Sequence, residues 1–268
     1  MRWDNPRRRV ASTGGPLQAA LLDLIYPQDC LACGAGEVAL ARRLPGGWQA
    51  GPAGGSDGAC LCERCFSALP LIGQNQCPRC GEELGPFAEG RLACQSCAGW
   101  TGLFFRGATA VCRYEGVARE MVHQFKYARD IRAVAWMGQK MLEKLQWTDW
   151  FSDCDLLVPV PLHWTRRVAR RFNQSALLAQ AIARASGKAL LLHVLRRVKR
   201  TTAQAILDRD QRELNVKGAF RAVRPGRVEG KRVVLVDDVM STSATARECA
   251  RVLMAAGSRT VHVAVYAR

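Results

Sequence analysis

The chain has no apolar run approaching the eighteen or more residues that a helix needs to cross a bilayer, which excludes a helical membrane protein. A secretory leader is not evident either. Arg2, Arg7, Arg8 and Arg9 make a basic start, but Gln18 and Asp23 interrupt the apolar stretch 17–25, which fits a short amphipathic helix better. The expectation is therefore a soluble, cytoplasmic protein. Acidic residues are scarce: 23 Asp and Glu face 39 Lys and Arg, for a formal charge of +16. Nearly the whole excess lies in residues 161–232, where 18 Lys or Arg meet 4 Asp or Glu, a net +14. That segment implies a polyanionic partner, pyrophosphate, nucleic acid or both; a solvated basic face is the plainer alternative. No stretch reads as a dedicated nucleobase-recognition motif, so any acceptor stays unassigned.

At 268 residues, 49% of them hydrophobic, the chain can hold one sizeable core and a small module. The reading divides it into a disordered start (1–20), a cysteine-rich module (21–100) and a main α/β domain (101–268). The module has too few apolar residues for a core of its own, but it holds four Cys-x-x-Cys pairs: Cys30/Cys33, Cys62/Cys65, Cys77/Cys80 and Cys94/Cys97. Glycine follows two of them closely, at Gly34 and Gly81. A two-residue gap lets both thiolates of a knuckle reach one ion, and tetrahedral zinc takes four ligands, so four pairs suit two structural zinc sites. Disulfides are the rival, disfavoured in a reducing cytosol. Sequential pairing closes the shorter loops and is preferred; a cross-braced pairing stays open. Cys60 is left out. The insert around 46–56 is flexible in composition.

The main domain is organised around residues 233–245. Val233, Val234, Leu235 and Val236 read as a strand buried on both faces. Asp237 and Asp238 then stand where that strand would end. A turn of small and hydroxyl residues follows (Ser241, Thr242, Ser243, Ala244, Thr245), and helical periodicity runs over 246–256. Backbone N–H groups of such a turn converge on an anion, and the helix N-terminus adds partial positive charge. The carboxylates would repel a phosphate; they suit the two hydroxyls of a ribose, or a metal ion. The plainer alternative is simple N-capping and a solvated acidic pair.

Further elements alternate in the same way. A strand is expected over 108–114, helices over 117–127 and 131–145, and a strand over 155–162 ending in Pro159 and Pro161. A helix is expected over 176–185 with Asn173 or Ser175 as cap, and a last strand over 260–266 after a stop at Gly257. Residues 100–105 read as a linker. Lys126, between Phe125 and Tyr127, is a candidate pyrophosphate ligand or a lysine answering a helix C-terminus. Arg166, in the loop leaving Pro161, is a second candidate cation. Alternating strands and helices imply a mostly parallel sheet with helices on both faces and ligands at the carboxyl ends of the strands.

The stretch through Asp237-Asp238-Val239-Met240-Ser241-Thr242-Ser243-Ala244-Thr245 resembles the phosphoribosyl pyrophosphate signature of type I phosphoribosyltransferases. It departs from that signature at Ser241, usually threonine, and at Ser243, usually glycine; a serine there sits without strain only at negative φ. The knuckles, Phe125-Lys126-Tyr127, Val158-Pro159-Val160-Pro161-Leu162 and Phe172-Asn173-Gln174 occur in the order found in the ComF (competence protein F) family, including its GntX type. Arg171 stands where that family usually has glycine. The likeness covers residues 21–268. It implies a type I phosphoribosyltransferase-like fold with an N-terminal four-cysteine zinc-ribbon module. It also implies phosphoribosyl pyrophosphate with Mg²⁺ as ligand and a link to DNA uptake and transformation, or to nucleotide metabolism. Asp237 and Asp238 become the candidate catalytic pair holding the ribose. Residues 241–245 become the 5′-phosphate site, and Lys126 and Arg166 the pyrophosphate cations. A loop-rich segment, 196–220, is the candidate lid. Three classes remain: a transferase, a silent sensor of phosphoribosyl pyrophosphate, and a factor binding single-stranded DNA.

Overall fold

The computed structural model describes residues 29–35, 60–85, 94–98, 100, 102, 104–128, 132–163, 172–199 and 209–268. The expectations for the N-terminus, the insert around 46–56 and Arg166 lie outside these residues.

Two short helices come first, α1 (Glu63–Ser67) and α2 (Gln95–Ala98), each carrying the second cysteine of a knuckle, Cys65 and Cys97. Strand β1 (Ala108–Cys112) opens the sheet. Helix α3 (Gly116–His123) runs directly into a π-helical turn (Gln124–Ala128), then α4 (Arg132–Gln146) follows. Next come β2 (Leu156–Pro159), α5 (Gln174–Ser186), β3 (Ala189–Leu190), β4 (Leu195–Arg197), α6 (Arg209–Val216) and β5 (Phe220–Ala222). The chain closes with β6 (Arg232–Val239), α7 (Ala244–Ala255) and β7 (Thr260–Ala267).

Five strands form one sheet in the order β1-β7-β6-β2-β3, every pairing parallel. Strand β6 lies at its centre, and its side chains alternate between two cores. Val233 and Leu235 join Val261, Val263, Cys249 and Leu253 on the α7 side. Val234 and Val236 join Met137, Met141, Leu178 and Ile182 on the side of α4 and α5. A strand covered on both faces needs apolar residues at every position, which explains the unbroken Val-Val-Leu-Val run. Burying each such side chain is worth about 1.5–3 kcal/mol.

Several boundaries moved from the sequence reading for identifiable reasons. The acidic pair, expected where the strand ends, lies within the last three residues of β6, because β7 continues to pair at Asp237↔Val265 and Val239↔Ala267. On the other flank β2 stops at Pro159, opposite Val236, and the last bond there is from Val160 N to Val236 O (2.9 Å). Among the described residues, β6 therefore has a strand neighbour on one side only from Asp237 onward. Of the stretch read as a linker, 100–105, Trp100 and Phe105 are buried and Trp100 packs with the second cysteine group, while Gly102 and Phe104 stay exposed. The loop-rich 196–220 segment is flanked by the antiparallel ribbon of β4 and β5 and contains α6. Its remaining stretch, 200–208, lies outside the described residues.

Candidate functional site: an acidic pair, a hydroxylated bend and two thiol clusters

The carboxyl end of β6 is closed in by three other elements. The N-terminus of α5 approaches from the flank that β2 vacates. Asn173 does not cap that helix; its Nδ2 donates to Val160 O (3.0 Å) and ties the helix start to the end of β2. Ser175 does not cap it either. Its hydroxyl donates to Asp237 Oδ1 (2.7 Å), which also accepts from the Asp238 backbone N–H (2.9 Å). The π-helical turn presents Lys126, whose Nζ lies 3.0 Å from Asp238 Oδ2 with both side chains largely buried. A π turn widens the helix by one residue and is frequent at functional positions.

These contacts set the charge of the site. Burial, then the neighbouring Asp238, push the Asp237 carboxyl up to about 7, against the hydrogen bonds from Ser175 and the Asp238 N–H. Burial alone would lower the Lys126 ammonium; the attraction of Asp238, with Asp237 behind it, raises it instead. Lys126 is thus a held cation pairing with the acidic doublet rather than a lysine answering a helix end.

The bend after β6 leads into α7 at Ala244. Ser243 keeps φ at +64°, so the left-handed conformation usual for glycine persists with a side chain present. The condition under which a serine would sit there without strain, a negative φ, is therefore not met, because the bend must still turn sharply into α7. The Thr242 hydroxyl is buried with no hydrogen-bond partner among the described residues. At the start of α5, Asn173 Oδ1 and both amide atoms of the fully buried Gln174 are likewise unpartnered. A buried polar atom without a partner costs about 1–3 kcal/mol, so such a cluster beside one strand end suits a bound polar ligand.

One contact was invisible in the sequence. Arg268, just past β7, donates through Nη1 to Met240 O (3.1 Å), Ser241 O (3.0 Å) and Ser243 Oγ (3.4 Å). Its Nη2 reaches Glu82 Oε2 (2.9 Å), in the cysteine module.

The eight cysteines of the four pairs form two clusters, Cys30/Cys33/Cys62/Cys65 and Cys77/Cys80/Cys94/Cys97, each with its sulfur atoms within 4.8 Å of one another. The grouping follows the sequential pairing. All described cysteines are free thiols. Sulfur separations of 3.8 Å (Cys33–Cys62), 3.6 Å (Cys77–Cys97), 3.4 Å (Cys80–Cys94) and 3.7 Å (Cys94–Cys97) approach the edge of about 3.8 Å that a tetrahedron with 2.3 Å zinc–sulfur bonds requires. The donor set therefore fits zinc. Burial opposes charge on Cys30, yet the N–H groups of Cys62, Cys33 and Ala32 bring it down to about 6. Cys97 is pushed up to about 11 by burial and by Cys77. A dication is what would let all four sulfurs ionise together.

The knuckles are built into the main core rather than appended to it. Cys77, Cys80, Cys94 and Cys97 pack with the α7-side core, and Cys30 and Cys65 with the α4-side core. Residues 70–78 also cover the outer edge of β1, through Ile72 N to Val111 O (2.9 Å), Arg113 N to Pro70 O (2.9 Å) and Ala108 N to Pro78 O (3.2 Å). Covering that edge removes a strand otherwise open to pairing with another chain.

A cavity of about 380 Å³ lies at the opposite, amino end of the sheet, away from the acidic pair. Arg106, Arg232, Arg259, Asp153, Trp150 and His262 are among its lining residues, and the last two rings stack 4.3 Å apart. Arg232 is paired with Asp153 and Asp155. Burial, then Arg106, hold His262 down to about 4, so it is neutral at physiological pH.

No protein-family model matches the chain. Individual proteins do. The DNA utilization protein YhgH of Salmonella typhimurium is 35% identical over 195 residues, spanning 70% of this chain and 81% of its own length. Competence protein F of Haemophilus influenzae is 28% identical over 75% of this chain and 86% of its own. The chain belongs to the ComF family. Competence protein ComFC of Bacillus subtilis, 26% identical over 74% of this chain and 79% of its own, is a more distant member. Among solved structures, glutamine phosphoribosylpyrophosphate amidotransferase from B. subtilis, complexed with ADP and GMP, is 30% identical over 49% of this chain and 25% of its own, with a TM-score of 0.33. Adenine phosphoribosyltransferase from Leishmania tarentolae is 15% identical over 52% of this chain and 58% of its own, with a TM-score of 0.32. Strand order and register, rather than these overlaps, establish the parallel sheet. Of the fold expected from sequence, the mostly parallel α/β sheet with flanking helices and the N-terminal pair of four-cysteine groups are found. Of the ComF site residues named from sequence, Asp237, Asp238 and Lys126 come together, and residues 241–245 adjoin them.

Proposed function

We propose that this ComF-family chain binds phosphoribosyl pyrophosphate with Mg²⁺ at the carboxyl end of β6. The observation that carries the reading is the buried, unpartnered Thr242 hydroxyl, in a bend held at positive φ, at the head of a twelve-residue helix and next to an acidic pair. In this reading residues 241–245 take the 5′-phosphate, where backbone N–H groups and the α7 dipole favour an anion. Asp237 and Asp238 accept from the ribose hydroxyls. Lys126 leaves Asp238 as the ligand enters and turns to the pyrophosphate; Arg166 is a second cation for it. Mg²⁺ bound through the substrate's oxygens would neutralise the leaving group.

Transfer would break the C1′–O bond to pyrophosphate and form a bond from C1′ to an acceptor nucleophile. Charge develops on the ribose as pyrophosphate departs, so positioning and electrostatics supply the rate. A silent sensor uses the same contacts without turnover. Pyrophosphate release from phosphoribosyl pyrophosphate, abolished by Asp237→Asn, supports the transferase. Saturable binding without release supports the sensor. No binding to wild-type protein defeats both.

Two structural zinc ions, one in each thiolate cluster, complete the proposal. With four thiolates each they have no open position, so they hold structure rather than perform chemistry.

A second reading is favoured by the cavity at the other end of the sheet. Arg106 and Arg259 make no ion pair among the described residues, and a neutral Trp150–His262 stack stands beside them. Exposed guanidinium groups with an aromatic stack suit single-stranded nucleic acid. Oligonucleotide affinity that falls steeply with salt, and that Arg106→Ala with Arg259→Ala weakens, supports this. Affinity unchanged in that double variant removes the cavity as the contact.

A further inference from the structure

We propose that Arg268 is the positioning residue of the phosphate bend and that it couples the bend to the knuckle carrying Cys77 and Cys80. The consequence for ligand affinity rests on the phosphoribosyl pyrophosphate reading; the coupling itself does not.

One planar donor group pins three points of the bend: the carbonyls of Met240 and Ser241 and the hydroxyl of Ser243. Its other terminal nitrogen holds the Glu82 carboxylate. The Arg268 side chain is only 5% exposed, whereas the Glu82 carboxylate that it meets is 42% exposed. Its Nε has no partner among the described residues, so the orientation of the fork is set by the bend and by Glu82. The Trp100 ring lies below, 5.8 Å from the guanidinium carbon. The backbone of Arg268 is fixed as well, donating to Cys112 O (2.9 Å) and accepting from Tyr114 N (2.6 Å). Lysine could not reproduce this, because a single ammonium lacks the fixed fork.

The bend needs such a brace. Ser243 at φ +64° carries a strain of about 1–2 kcal/mol that glycine would avoid. Unbraced, a serine relaxes toward negative φ and withdraws the neighbouring amides from the α7 N-terminus. Arg268 supplies hydrogen bonds to three sites around that residue, of the order of the strain they offset. The anchor on the far side is stiff too. Glu82 follows Cys80 and Gly81, and its carbonyl accepts from Cys77 N (2.7 Å) inside the knuckle. The thiol cluster and the phosphate bend are thus two ends of one short chain of contacts, Cys77–Glu82–Arg268–Ser243.

The test is amide hydrogen exchange on the full-length, zinc-loaded protein, with calorimetric titration of phosphoribosyl pyrophosphate and Mg²⁺ alongside. The reporters are the Met240 amide, bonded to Ala267 O, and the Arg247 amide, bonded to Ser243 O. Arg268→Ala is expected to speed exchange at these two amides about tenfold, leave the strand interiors unchanged, and weaken ligand binding by about the same factor. Adding Ser243→Gly to that variant should restore most of both, since glycine holds the conformation unaided. Arg268→Lys should not restore them. If Arg268→Ala does not fold, Glu82→Ala, which cuts the brace at its exposed end, should still loosen the two amides selectively. Unchanged exchange, uniform acceleration through the sheet, or no rescue by Ser243→Gly would each overturn the proposal. If the exchange pattern holds but the wild-type protein binds no ligand, the functional reading fails and the brace stands.

Discussion

Replacing Asp237 by asparagine should make the unliganded protein more stable while removing its ligand. Asp237 is held among Asp238, Ser175 and the start of α5, and its carboxyl is pushed up to about 7 by burial and then by Asp238. A folded pKa above the unfolded one means that the native state holds the proton more tightly. The contribution of Asp237 to stability is therefore fully present below about pH 4 and is lost as pH rises through about 7. Roughly three units correspond to about 4 kcal/mol lost by pH 8. Asparagine removes that loss and keeps an acceptor for Ser175, but it forfeits the charge-assisted part of that bond, about 1 kcal/mol. A net gain of about 2–3 kcal/mol at pH 8 remains, or roughly 5–10 °C in Tm for a domain of this size. Thermal unfolding of both proteins at pH 5, 6, 7 and 8, with zinc and without phosphoribosyl pyrophosphate, measures it. The curves should nearly meet at pH 5 and separate as pH rises. A difference independent of pH, or a variant less stable at pH 8, would refute the placement of an ionisable Asp237 in that cluster. A gain in stability with a loss of binding is the signature of a group kept for function.

Other perturbations have equally definite outcomes. Lys126→Met leaves the Asp238 carboxylate buried without its cation; a loss of about 2–3 kcal/mol in urea unfolding is expected, together with an affinity for pyrophosphate lowered by tenfold or more. Gly81→Ala should destabilise by about 1–3 kcal/mol, because φ there is +73° and a Cβ would stand 3.3 Å from Ala108 O on β1; chemical denaturation reads it. Metal analysis should give two zinc ions per chain, and chelation should lower Tm in a single transition that includes the sheet, because the thiol clusters share its cores. An unfolding transition of the module alone would show that the shared packing contributes little.

The sheet was largely legible in the sequence because its central strand is apolar at every position and its helices are periodic. The two-residue gaps likewise announced the thiol clusters. What escaped the reading depends on contacts between distant segments. Asp237 and Asp238 were expected where the strand ends, and nothing local records that pairing with β7 carries β6 on to Val239, opposite Ala267. Ser175 was read as a helix cap, the commoner use of a serine before a helix, when its hydroxyl serves Asp237 across 62 positions of sequence. The π turn that presents Lys126 has no sequence signature distinct from the helix it continues. Trp100 was taken for part of a linker because its partners, Arg247 and Arg268, lie far along the chain. Arg268 itself offered no signal, being one arginine after an apolar strand in a chain rich in arginine.

The most direct test of the central claim is calorimetric titration of the zinc-loaded protein with phosphoribosyl pyrophosphate and Mg²⁺. Titration of Thr242→Val, which keeps the shape of the side chain and removes only its hydroxyl, belongs beside it. The account predicts saturable one-site binding to the wild type and about tenfold or greater weakening in the variant, with Tm no lower than wild type because a buried unpartnered group has been removed. Equal affinity in the two proteins, or no heat of binding in either, would contradict it.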